Sequence, residues 1–167
     1  MASDQIFYKI ESYIKSADNF LSKYPKDNDL EVIELKDFFA RTIIMVIVSE
    51  YEAYIESAFV RRVELCGDGE VINLGKRSYA RTFRSPDLSK INTELSVLND
   101  GLKEQFINTV NTDGINVAWD NIMKARHAIV HKQGSLQLSF EDVKQEFIKT
   151  KKVIEVLENV LFPRKVS

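Results

Sequence analysis

From about Asp29 to Cys66 the chain keeps one unbroken helical period. Ile44, Ile47, Val48, Tyr51, Ile55, Ala58 and Phe59 share a stripe, and Gly67 and Gly69 end the segment. A helix this long and this apolar needs other elements packed along it, and the rest of the sequence offers only helices. No segment alternates in the manner of a strand, and the three Pro and six Gly cluster where the hydrophobic period breaks. A first helix is expected from about Ser3 to Lys23, with Ile6, Ile10, Tyr13, Ile14, Ala17 and Leu21 on one side and Pro25 as its stop. Val71 to Pro86 carries no acidic residue and reads as a loop, closed by Ser85 as N-cap and Pro86 at the first helical position. A short helix follows to Leu98, and Leu102 to Val110 adds one or two turns. Another helix runs from about Asp113 to Lys132 and stops at Gly134. Ser139, with Asp142 three residues on, opens a last one that ends at Leu161 before Pro163. The expected fold class is all-α, an antiparallel bundle of four to six helices forming one domain over residues 1–167.

Several functions are excluded or disfavoured at this point. No apolar run approaches the roughly 20 residues that span a membrane, and the N-terminus lacks a basic segment followed by an apolar core, so no leader and a cytoplasmic setting are expected. Cys66 is the single cysteine, which removes an internal disulfide and the common zinc spacings. The formal charge of -2 means that any polyanion must be met by a local patch. One such patch is GKRSYARTFR, Gly75 to Arg84, where Lys76, Arg77, Arg81 and Arg84 interleave with Tyr79 and Phe83. Basic and aromatic side chains together suit single-stranded RNA, by phosphate contact and base stacking; a solvated loop with its aromatics tucked into the core is the alternative.

Both histidines of the chain fall in one short stretch, KARHAIVHKQG, Lys124 to Gly134. On the expected helix Ile115, Ala118, Trp119, Ile122, Met123, Ala125, Ile129 and Val130 form the core arc, with Arg126 near its middle. A cation there should find a carboxylate, and Glu52, at the flank of the second helix's stripe, is the expected partner. His127 and His131 lie on the opposite face with Asp120 and Lys124. A zinc site would use the four-residue spacing, but Ala128 stands where a metalloprotease carries Glu and no third ligand is indicated, so no metal or other cofactor is expected. Capping of the helix C-terminus by imidazolium is a second reading. The third is phosphoryl chemistry: imidazoles that exchange protons near neutral pH beside a guanidinium whose fork matches phosphate oxygens.

RHAIVH resembles the R-x4-6-H motif of the HEPN superfamily, all-α domains of prokaryotic defence systems, toxin–antitoxin pairs and RNA-processing proteins. His127 occupies the position after the Arg, where that family commonly has Asn, Asp or His. Ala40 to Phe59, with Glu52-Ala53-Tyr54, is similar to the second helix of the RiboL-PSP and MAE-type branches, and the likeness extends over roughly Glu34 to Leu161. The resemblance implies a metal-independent endoribonuclease in which the motifs of two subunits face each other across a cleft. It implies that His131 acts as general base or acid, that Arg126 stabilises the phosphorane, that His127 adds a hydrogen bond or shares the proton traffic and that Glu52 orients Arg126. Lys76, Arg77, Arg81, Arg84 and Lys124 would then hold RNA, and an antitoxin or accessory defence protein is an implied partner. Lys132-Gln133 departs from the branch whose motif continues to H-x-Y. A non-cleaving domain that binds nucleotide or protein is the other function the family offers. A homodimer is expected for two reasons. Arg126 and His131 diverge by about 140° around one helix, and Met45, Val46, Ala53 and Val60 lie off the main stripe of the second.

Overall fold

The computed structural model describes residues 2–24, 29–131 and 136–163. Among them are seven helices and no strand: α1 (Ala2–Leu21), α2 (Leu30–Glu64), α3 (Gly69–Thr82), α4 (Leu88–Leu98), α5 (Asp100–Val110), α6 (Ile115–Val130) and α7 (Phe140–Leu161). Pro25, Lys132 and Gly134, which mark two helix ends in the sequence, lie outside the described residues. No described helix is long and apolar enough to cross a membrane.

Short polar side chains start most of these helices by accepting from the otherwise unpaired first-turn N–H groups. Asp29 accepts from the Glu31 N–H, Asp87 from Lys90, and Asn99 from Gly101. At α7, Ser139 and Asp142 form the reciprocal capping box that their spacing announces.

α2 is the axis of the bundle and packs against α1, α3, α6 and α7. Lys9 pairs with Glu50 and Phe20 with Phe39, so α1 runs antiparallel to α2. Ser3 bonds Glu158, Lys151 pairs with Glu11 and Lys144 with Asp18, so α1 is also antiparallel to α7. α7 then lies parallel to α2, as the Phe39–Phe140 and Tyr51–Thr150 contacts require. With neighbours on several sides, α2 buries residues well beyond one stripe, including Ala40, Ile43 and Tyr54. Val46 and Val60, expected to await a second subunit, are partly buried against the chain's own core; Met45 and Ala53 remain exposed.

The segment expected as a loop, Val71 to Pro86, is largely helix α3. Asp68 caps it by accepting from the N–H groups of Glu70 and Val71 at 2.9 and 3.1 Å. Tyr79 and Phe83 hold it to α2 by packing on Phe59, at ring separations of 5.3 and 4.8 Å. Gly75, which reads as a loop residue, is instead a packing residue. A Cβ there would stand 2.9 Å from Val63 Cγ1, so only glycine lets the two helices approach this closely. α5, expected as one or two turns, extends over eleven residues.

Gly75→Val should therefore lower stability by about 1–3 kcal/mol through overpacking against the stiff Val63 side chain, read by denaturant unfolding. A change within about 0.5 kcal/mol, as an exposed loop would give, would contradict the α2–α3 contact.

Candidate active site on the sixth helix

α6 presents Ile115, Ala118, Trp119, Ile122, Met123 and Ala125 to the core, as its period predicts. Ile129 is partly buried against the core, whereas Val130, expected in the same arc, is 45% exposed because the helix ends there. Trp119 is fully buried and stacks on Tyr51 of α2, with ring planes 2° apart and centroids 5.2 Å apart. Burial raises the Tyr51 phenol above its ordinary range, so it stays protonated and shares a hydrogen bond with the Thr150 hydroxyl of α7. These contacts fix the rotation of α6, and thereby what its outer face displays.

That face carries Asp120, Lys124, His127 and His131, which follow at four-, three- and four-residue steps and share one side of the helix. Both imidazoles are exposed, with centroids 4.2 Å apart and planes inclined by 45°. His131 is the C-cap residue, and its backbone N–H donates to the His127 carbonyl. His127 lines a groove of about 520 Å³ together with Ser85, Asp87, Asp120, Met123 and Lys124.

Arg126 is half-buried and makes no hydrogen bond or ion pair among the described residues. The expected Arg126–Glu52 pair does not form. The Glu52 carboxylate instead accepts from the Ser85 backbone N–H at 2.5 Å, and the half-buried position leaves the guanidinium within reach of water. Ser85 has a φ of +47°, a conformation that non-glycine residues adopt only when the surroundings enforce it. The enforcement is visible. Glu52 holds the Ser85 N–H, Trp119 Nε1 donates to the Pro86 carbonyl at 2.8 Å, and Lys90 Nζ donates to the Arg84 carbonyl at 3.1 Å. Asp87, not Ser85, is the N-cap of α4. The turn thus fixed separates the His127 groove from a smaller one, about 290 Å³, lined by Glu52, Glu56, Phe83 and Arg84 among others.

The structure brings His127, His131 and Lys124 together on one face and connects Glu52 to them through the turn. The basic residues of α3 have other settings. Lys76 pairs with Glu64 at 2.8 Å, Arg77 and Arg84 are exposed, and the Arg81 side chain is outside the described set. Tyr79 and Phe83 are buried, so they are no platform for bases. Sequence reasoning did not find Ser85, Asp87 and Met123 as groove residues; the Asp87 capping signal was present but was assigned to Ser85. Among the described residues no three His, Cys, Asp or Glu side chains gather in a way that could hold a metal ion.

A family model described as RiboL-PSP-HEPN matches residues 8–162. The match takes in most of α1, beyond the Glu34 limit that the motifs suggested. No curated protein and no solved structure matches the chain. The matched span holds α2 to α7 whole, α1 from Tyr8 onward and every residue of the His127 face, and the chain belongs to the RiboL-PSP-HEPN family of the HEPN superfamily.

Proposed function

We propose that the protein is a metal-independent endoribonuclease that cleaves RNA at a site composed across a homodimer. The observation that carries this reading is the exposed His127–His131 pair, 4.2 Å between rings, on the same helix as an Arg126 that has no ion-pair partner among the described residues of a HEPN-family chain. Two adjacent imidazoles can divide acid and base roles. The neutral ring takes the proton of a ribose 2′-OH, the 2′-oxygen forms a bond to the adjacent phosphorus, and the protonated ring delivers a proton to the departing 5′-oxygen. Arg126 stabilises the added charge on the phosphorane oxygens. His131 stands about 7.5 Å further along the axis than Arg126 and about 140° around it, so one helix aims them poorly at one phosphate. A two-fold axis beside α6 supplies a second copy of each. Lys124 adds a cation for the neighbouring phosphate. Operation within a defence or toxin–antitoxin system, with an antitoxin or accessory protein as partner, belongs to the same proposal and rests on family membership alone. Glu52 acts in it as a positioning residue, through Ser85 and not through Arg126.

His131→Ala should reduce RNA cleavage by about 10²-fold or more with little change in melting temperature, because the ring is exposed. The wild-type products should end in 2′,3′-cyclic phosphate and 5′-hydroxyl, and EDTA should leave the rate unchanged. Full cleavage by the variant would remove the reading. Arg126→Ala should lose activity with stability kept within about 1 kcal/mol, since no ion pair among the described residues is broken. Glu52→Ala should cost about 1–3 kcal/mol by leaving the Ser85 N–H without its acceptor, while Glu52→Gln, which retains an acceptor oxygen, should recover most of that loss. Equal damage from both Glu52 variants would show that the carboxylate charge matters and not the bond to Ser85.

A further inference from the structure

The His127 groove is larger than phosphate chemistry alone requires, and its two walls differ in kind. One is α6, with Asp120, Lys124 and His127 on its outer face and the buried Met123 at its edge; the other is the fixed turn, with Ser85 and Asp87. Asp120 precedes His127 by two helical turns, about 10 Å along the axis, which leaves room for a base beside a phosphate held at the histidines. The two acidic residues are not equivalent. Asp87 is already engaged, accepting from the Lys90 N–H and the Ser89 hydroxyl, each at 2.7 Å. Its burial would raise its pKa, but these bonds and the Lys90 charge outweigh that and hold the carboxyl below its ordinary range. Asp120 is exposed, lines the groove and has no hydrogen bond or ion pair among the described residues, so its carboxylate is open to accept from a ligand there. Met123 also lines the groove, but it is buried at 8% exposure and contributes only a small apolar edge.

An ionised carboxylate accepts hydrogen bonds and cannot donate. It therefore matches an exocyclic amino group, as on cytosine or adenine, and repels the carbonyl that replaces that group in uracil or hypoxanthine. The geometry points to this groove as the subsite for the base next to the scissile phosphate, with Asp120 selecting a base that bears an exocyclic amino group. The inference rests on the ribonuclease reading for the place of the phosphate, but it is testable without cleavage. Oligomers of 2′-deoxynucleotides lack the attacking hydroxyl and stay intact whatever the activity.

The experiment is fluorescence-anisotropy titration of the full chain with labelled twelve-residue oligomers in two pairs that differ at one ring substituent: deoxycytidine against deoxyuridine, and deoxyadenosine against deoxyinosine. Wild type should bind the amino-bearing member of each pair roughly tenfold more tightly. Asp120→Asn, whose amide both donates and accepts, should bring the ratio to within about twofold. Equal binding of the two members by wild type, no binding of either, or an unchanged ratio in Asp120→Asn would overturn the subsite. A clear ratio in a protein that cleaves no RNA would support the subsite and sink the ribonuclease reading, so the two failures are distinct.

Discussion

The indole of Trp119 is the group on which the rest of this structure most depends. Its ring is stacked flat on Tyr51 and its N–H is committed to the Pro86 carbonyl, so one buried side chain joins α6 to the central helix and to the turn that opens α4. Tyr51 carries the connection on to α7 through Thr150. A buried indole N–H without an acceptor costs about 1–3 kcal/mol, which makes the position of Pro86 part of the core packing and not a property of the loop. Helix rotation, turn geometry and the shape of the outer face are therefore set together.

That coupling explains how exposed residues hold the arrangement of the candidate site. His127, His131, Lys124 and Asp120 make few fixing contacts of their own. They are placed by a helix whose opposite side cannot turn, against a turn held by Glu52 from one direction and Trp119 from the other. The strain at Ser85 is tolerated for the same reason. On a chain of formal charge -2, attraction for a polyanion has to be local. In the proposed function Lys124 and Arg126, neither held in an ion pair among the described residues, would supply it beside the imidazoles.

Much of this was legible in the sequence, because the helical period is long and the caps are explicit. The unbroken segment after Asp29, the Ser139–Asp142 box and the core arc of α6 each needed only local rules. What was not legible needed a partner from elsewhere in the chain. Gly75 looks like a loop residue until Val63 is known to press against it. Tyr79 and Phe83 look like base platforms until Phe59 is placed under them. Glu52 was singled out for Arg126, and the structure gives it a different partner, the Ser85 N–H. The charge of Arg126 suggested an ion pair, whereas the carboxylate is taken by the backbone N–H of Ser85, thirty-three residues on from Glu52. Charge can be read from one residue; an orphaned backbone donor cannot, since it exists only once the turn is formed.

The central claim is that Arg126 of one subunit and the histidines of the other serve one phosphate. Mixing separately inactive Arg126→Ala and His131→Ala chains, unfolding and refolding them together at equal amounts, and assaying RNA cleavage tests it most directly. In a two-fold dimer each mixed pair regains one intact composite site, so the mixture should recover about a quarter of wild-type activity. Recovery no greater than that of the two variants refolded alone would place Arg126 and His131 in separate roles within each subunit and contradict the account.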